Sequence, residues 1–173
     1  MLSPSSASLT IRPARADDLA AVTDIQRASI HVLGAAAYGR TEAEAWARFG
    51  IEASRDLLSQ GQFFVGEMGG RVLGVSGWSA DVERRDAAWV RYVFVHPDAA
   101  GRGLGRQLVA ASEAAAIAAG RPGLNLWSSL NAVGFYRRLG YRQIRRARWP
   151  VEQGIELEYV LMTKRATLRR AAT

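Results

Sequence analysis

A chain of 173 residues, 49% hydrophobic and 23% charged, has the size and composition of one soluble domain with a hydrophobic core of its own. It contains no cysteine, which excludes disulfides, thiolate metal sites and a cysteine nucleophile. The formal charge of +7 is uneven: residues 1–136 are neutral overall and residues 137–173 hold ten bases against three acids, which fits a solvated basic face, a nucleic-acid patch or a field for a small polyanion.

No apolar run is long enough to span a bilayer, and MLSPSSASLT has neither the basic nor the apolar region of a signal peptide. A cytoplasmic protein with no membrane partner is the expectation. Residues 1–8 read as a disordered N-terminus, 9–165 as one domain and 166–173 as a basic tail. LTIRPA is a predicted strand closed by Pro13. Asp17 or Asp18 can cap the helix that follows, where Leu19, Val22, Ile25 and Ile30 recur at helical spacing. TEAEAWARF opens on Thr41 with Glu44 three residues on, the pattern of a capping box, and IEASRDLLSQG reads as another amphipathic helix. QFFVGEMGGRVLGVSGWS is a hairpin turning at Gly69 and Gly70. AAWVRYVFV is a strand, GLGRQLVAASEAAAIAAG a helix closed by Gly120, and GLNLWS a strand. NAVGFYRRLG is a short helix, and YRQIRRARWPVEQGIELEYVLMTK a final pair of strands. That order gives an α+β layout, neither an alternating doubly wound fold nor a bundle.

Between the strand and the helix lies VFVHPDAAGRGLGRQLV. The dinucleotide fingerprint G-x-G-x-x-G fails there, because the third glycine counted from Gly101 would fall on Arg106. The P-loop fails as well, since the sequence has a single lysine, Lys164. What these residues can build is a run of backbone N–H groups converging on an anion at a helix N-terminus. Gly101, Gly103 and Gly105 leave the backbone bare, and Arg102 and Arg106 add charge. A pyrophosphate suits that arrangement; a glycine-rich turn that merely closes a helix on a strand is the alternative.

VFVHPDAAGRGLG resembles motif A of the GNAT superfamily of acetyl-CoA-dependent N-acetyltransferases, V-x-P-x-x-[QR]-x-x-G-x-[GA], with Ala100 at the usual Gln/Arg position. Downstream, SSLNAVGFYRRLGY resembles motif B, N-x-x-A-x-x-x-Y-x-x-x-G-[FY], with Ala132, Tyr136, Gly140 and Tyr141 in register. Ser129 stands where most members have asparagine and Asn131 stands two residues later, as in members with SLNA. LEYVLMTK resembles the family's last strand, so the likeness covers residues 9–165 loosely. It implies the GNAT fold, a mixed and mostly antiparallel sheet of six to seven strands flanked by about four helices. It also implies transfer of an acetyl group from acetyl-CoA to a primary amine of a small molecule or peptide, by direct attack on the thioester. Use of another acyl-CoA and a non-catalytic acetyl-CoA sensor are the alternatives.

By the same resemblance, the motif A strand bulges and splays, leaving the backbone of Val93, Phe94 and Val95 for the pantetheine arm. The pyrophosphate rests on the amides of Gly101, Arg102, Gly103, Leu104, Gly105 and Arg106, and Ser129 or Asn131 also meets the cofactor. Tyr136 is the expected general acid toward the departing thiolate, or else a core tyrosine. Glu83, with Asp81 and Asp86 in the turn before the motif A strand, is the expected base; a solvated acidic turn is the alternative. Substrate contacts are expected from His31, Tyr38, Trp46, Trp78 and Trp127, with Arg40 nearby and Trp149 on the opposite rim, although such aromatics are more often core and His31 is more often a plain buried or surface histidine. His96 is expected to be structural. Neither a metal nor a nucleic-acid partner is expected, and a homodimer is left open.

Overall fold

The computed structural model describes residues 9–59 and 62–166, with the side chains of 50–59 left aside. The expected disordered N-terminus at 1–8 and the tail at 167–173 lie outside the described residues. Seven strands form one sheet in the order β1-β2-β3-β4-β5-β7-β6. They are β1 Leu9–Pro13, β2 Phe63–Met68, β3 Arg71–Ala80, β4 Ala87–Val95, β5 Gly123–Ser129, β6 Arg142–Glu152 and β7 Ile155–Arg165. Every neighbouring pair is antiparallel except β4 and β5. This is the mixed GNAT-type sheet that the sequence implies.

The helices divide between the two faces: α1 Leu19–Ser29, α2 Ala35–Tyr38 and α3 Arg40–Ser59 on one, α4 Leu104–Ala118 and α5 Val133–Arg138 on the other. The strands sort their side chains accordingly. Phe63 and Val65 of β2 pack with Val22 of α1, while Phe64 and Met68 pack with Leu104 and Leu108 of α4. That is the period-two alternation of a strand buried on both sides. β3 brings Gly74 and Ser76 under α4, and both allow a close approach. A Cβ at Gly74 would lie 2.6 Å from Leu108 Cδ1. The Ser76 hydroxyl donates to the Leu108 carbonyl at 2.7 Å and shares a 2.7 Å hydrogen bond with Ser112 Oγ, all of it buried.

Two local expectations change. Helix α3 is continuous from Arg40, so Thr41 lies inside it and caps nothing; the break from α2 is set by Gly39 at φ 98°. Asp18 does not cap α1 in the simple sense. Its carboxylate accepts the Arg15 backbone N–H at 2.7 Å and holds both terminal nitrogens of Arg12 at 2.8 Å, tying the start of α1 to β1. Beyond Ser29, α1 runs through a π-turn, Ile30–Gly34, into α2, and Gly34 leaves room for the ring of Trp46.

One irregularity positions everything that follows. β4 and β5 pair only over Ala87–Trp89 with Gly123–Asn125, and then the strands part. On its other edge β4 stays with β3, where Gly77 pairs with Arg91 and Val75 with Phe94. Tyr92 and Val93 together therefore face the single residue Ser76, a bulge. Tyr92 sits at φ 52°, the one non-glycine with positive φ among the described residues. A tyrosine there is strained, and strain of that kind gathers at working sites.

Candidate active site

The parted strands open a cleft of about 1200 Å³ that passes through the sheet, lined from α1 and α3 on one face and from α4 and α5 on the other. On the α4 side, Pro97–Ala99 makes one turn of 3-10 helix, with the N–H of Asp98 donating to His96 Nδ1 at 3.2 Å. Gly101 at φ 74° and Gly103 at φ 84° then swing the chain into α4. A Cβ at either would meet nothing within 4 Å, so the demand for glycine comes from the backbone conformation and not from crowding. The Gln107 N–H donates to the Gly103 carbonyl at 3.3 Å, the first such bond into the helix. The N–H groups of Leu104, Gly105 and Arg106 are thus the orphan donors of a helix start, at its positive end. Gly101, Gly103, Gly105 and Arg106 all line the cleft.

Val93, Phe94 and Val95 from the parted edge of β4 line the cleft together with Ser129, Asn131 and Tyr136. The edge these three turn toward β5 has no strand partner, because the pairing ends at Trp89 and Asn125. Tyr136 is only 7% exposed, and its ring is held edge-on by Phe135 at 5.0 Å and Tyr141 at 5.7 Å. Burial pushes its pKa above the ordinary phenol value. It is a neutral donor on the lining of the cleft.

The half on the α1 and α3 face is aromatic. Trp46 lies 6.2 Å from Phe94 and 6.1 Å from Tyr159, and Trp127 lies 5.2 Å from Trp149. Ile30, Leu33 and Phe49 close the apolar wall. Glu113, on the α4 side, is the one carboxylate among the described residues lining the cleft, and it is engaged by Lys164 at 2.8 and 3.0 Å.

Of the site residues expected from sequence, Val93, Phe94, Val95, Gly101, Gly103, Gly105, Arg106, Ser129, Asn131, Tyr136, Trp46 and Trp127 are brought together in this cleft. Others are not. Leu104 is wholly buried, its side chain packed among Met68, Leu73 and Leu108, so only its backbone faces the loop. Arg102 is exposed and outside the lining. Glu83 is exposed in the turn before β4, its N–H donating to Asp81 Oδ1 at 3.0 Å, at the end where β4 and β5 remain paired. His31 lines a separate small recess of about 230 Å³ with Arg27, Glu44 and Arg48. Tyr38 serves as a bolt: its hydroxyl donates to the Glu158 carbonyl at 2.6 Å and accepts the Leu130 N–H at 2.9 Å, and burial holds its pKa up at about 12. Trp78 packs on the core around Val90 and Leu126. Sequence reasoning passed over Phe49, Trp89, Arg91 and Tyr159. Only the alternation of side chains along β4 and β7 could have pointed to the last three.

Comparison with known proteins agrees with this geometry. Residues 59–143 match the family model described as an acetyltransferase (GNAT) domain. The chain is 34% identical over 88 residues to an uncharacterized N-acetyltransferase of Methanocaldococcus jannaschii, a match covering 47% of this chain and 39% of that protein. A GCN5-related N-acetyltransferase of Rhodopseudomonas palustris superposes with a TM-score of 0.77 at 30% identity, over 96% of this chain and 99% of that one. The PaiA N-acetyltransferase of Thermoplasma acidophilum, solved in complex with coenzyme A, shares the fold at a TM-score of 0.73 and 18% identity, over 92% and 99%.

Proposed function

The chain belongs to the GNAT family of N-acetyltransferases, and from that we propose that its cleft takes acetyl-CoA from the α4 side and a primary amine from the aromatic side. The observation that carries this reading is the parting of β4 from β5 beside a left-handed glycine loop. An open strand edge offers hydrogen bonds to the amides of a pantetheine arm, as it would to another strand. The orphan N–H groups of Leu104, Gly105 and Arg106, with the Arg106 guanidinium, suit a pyrophosphate. Those residues fit the cofactor, and proteins of the same fold have been solved with coenzyme A and with acetyl-CoA.

Acetyl-CoA supplies a thioester carbonyl that a neutral amine can attack. The amine nitrogen would form the C–N bond as the C–S bond breaks; the departing sulfur would take a proton, and the nitrogen would give one up, through water, to restore the donor. Tyr136 holds a proton on the lining of the cleft, kept on its oxygen by burial. Backbone N–H groups at the β4 bulge, around Val93 and Phe94, are the donors for the negative charge that develops on the carbonyl oxygen. Among the described residues the aromatic half has no carboxylate lining it. Desolvation favours the neutral amine, whose proton leaves to water before entry.

A thermal melt with acetyl-CoA, followed by thiol release with a panel of amines, tests the reading. Acetyl-CoA at about a hundred times its Kd should add roughly 2.7 kcal/mol of stability. Gly103→Val should lose that shift while its own melt remains cooperative, because valine is strained at positive φ. Absence of any shift in the parent protein would overturn the cofactor assignment.

A further inference from the structure

Of the three residues on the parted edge of β4, two turn to one face of the sheet and one to the other. Val93 packs on the cluster that holds Val109, and Val95 on the one that holds Leu104 and Leu108, both on the α4 side. Phe94 turns to the face of α1 and α3, where it packs with Ile30 and Trp46, the two ring centroids 6.2 Å apart. The aromatic half of the cleft therefore begins at the strand edge itself. Trp46 has little freedom there. Tyr38 stands edge-on to it at 5.7 Å and Tyr159 at 6.1 Å. Tyr38 is bolted in turn to the Glu158 carbonyl and the Leu130 N–H. Gly34 ends the π-turn, and a Cβ at that position would lie 2.9 Å from Trp46 Cζ3. Turns of this kind collect at working sites, and here one sets a glycine against an indole.

The same wall is uncharged. Burial raises the pKa of Tyr92 and of Tyr159, so both hydroxyls stay protonated. Glu113 is on the α4 side and paired with Lys164. Arg91 lines the cleft but is exposed, its Nε donating to Ser79 Oγ at 2.7 Å and its guanidinium over the Trp89 ring. A second ammonium group or a carboxylate on the acceptor would lose its water on this wall and gain no partner. Resting on the N-acetyltransfer proposed above, the geometry points to an arylalkyl primary amine as the acceptor: one nitrogen, a short alkyl spacer and an aromatic ring, with no second charge. The ring packs among Trp46, Phe94 and Tyr159, and the spacer leaves the nitrogen at the Val93–Phe94 edge. An aromatic guest gains from facing rings beyond the area it buries, and rings already held cost little to order. A peptide N-terminus would have to bury its first peptide group against the same apolar wall.

The test measures thiol release from acetyl-CoA with phenethylamine, cyclohexylethylamine, ethylamine, spermidine, phenylalanine and a tripeptide that begins with phenylalanine, each rate expressed per neutral amine. Phenethylamine should exceed ethylamine in kcat/KM by about tenfold to a hundredfold, the worth of burying a ring. It should exceed cyclohexylethylamine by about twofold to tenfold, and spermidine, phenylalanine and the tripeptide by about tenfold or more. Trp46→Ala should erase the preference over ethylamine through a raised KM for phenethylamine, and Trp46→Phe should restore part of it. Phe49 lines the cleft while 59% exposed, so Phe49→Ser spares the core. That variant should raise the same KM about threefold. Ethylamine, spermidine, phenylalanine or the tripeptide used as well as phenethylamine overturns the proposal, and so does a Trp46→Ala variant that lowers phenethylamine and ethylamine in equal proportion. Equal use of cyclohexylethylamine overturns its aromatic part. If acetyl-CoA still raises the melting temperature but phenethylamine is not acetylated, the acceptor class falls and the cofactor reading stands. If acetyl-CoA has no effect on the melt, both fall.

Discussion

At the scale of single residues, the chemistry turns on how burial holds the proton on Tyr136, while Glu83 lies exposed outside the cleft lining. Tyr136 is raised above the usual phenol range because its charged form would have no water around it. The sign follows: the proton stays on as pH climbs toward about 10, the ordinary phenol value, so turnover should not decline through that range. Tyr136→Phe should lower kcat about a hundredfold, the low end of general acid catalysis, with the KM for acetyl-CoA nearly unchanged. The acidic limb of the pH–rate profile should follow the pKa of the acceptor amine, and Glu83→Gln should leave that limb where it is. A profile that shifts with Glu83 would return the base to the protein. The place of Tyr136 on the cleft lining was legible in the sequence because motif B fixes its position in the chain. Tyr38 and Trp78 were not, since an aromatic that bolts the core and one that lines a cleft look alike until the fold decides which way they face. Glu83 is near the motif A strand in sequence, but it lies at the closed end of the β4–β5 pair.

At the scale of elements, α4 is the part whose position matters most. Its first turn carries the amides of the glycine loop, and its height above the sheet is set by Gly74 and Ser76 beneath Leu108 and Ser112. Gly74→Ala should cost about 1–3 kcal/mol by overpacking. If α4 is lifted to relieve the clash, affinity for acetyl-CoA should fall in the same variant, although residue 74 does not line the cleft. Calorimetry of unfolding and of binding on one sample checks both. The strands and helices themselves were readable: AAWVRYVFV is β4 to the residue, and the Gly69–Gly70 hairpin turns as expected, with both glycines at positive φ. What the period of the sequence could not give was continuity. The two predicted helices over 41–61 are one helix α3 from Arg40, and the split between α2 and α3 falls at Gly39, where the backbone needs a conformation only glycine adopts readily.

At the scale of the molecule, the sheet consists of two parts, β1–β4 and β5–β7, joined by three residue pairs. The register of β4 against β5 could not be read from either strand alone, because splay is a relation between strands far apart in sequence. It has a cost outside catalysis. Where β4 and β5 part, each leaves a row of unpaired backbone groups, and such a row is a template for a strand from another chain. Proteins usually hide edges of that kind at the rim of a sheet, under charge or a bulge; here they face inward and stay open until something fills the gap. Acetyl-CoA would then act as a stopper against self-association as well as a reagent. Stored warm, the empty protein should gain light scattering over hours, the loaded protein should remain clear, and desulfo-coenzyme A, which occupies the gap without reacting, should protect equally well.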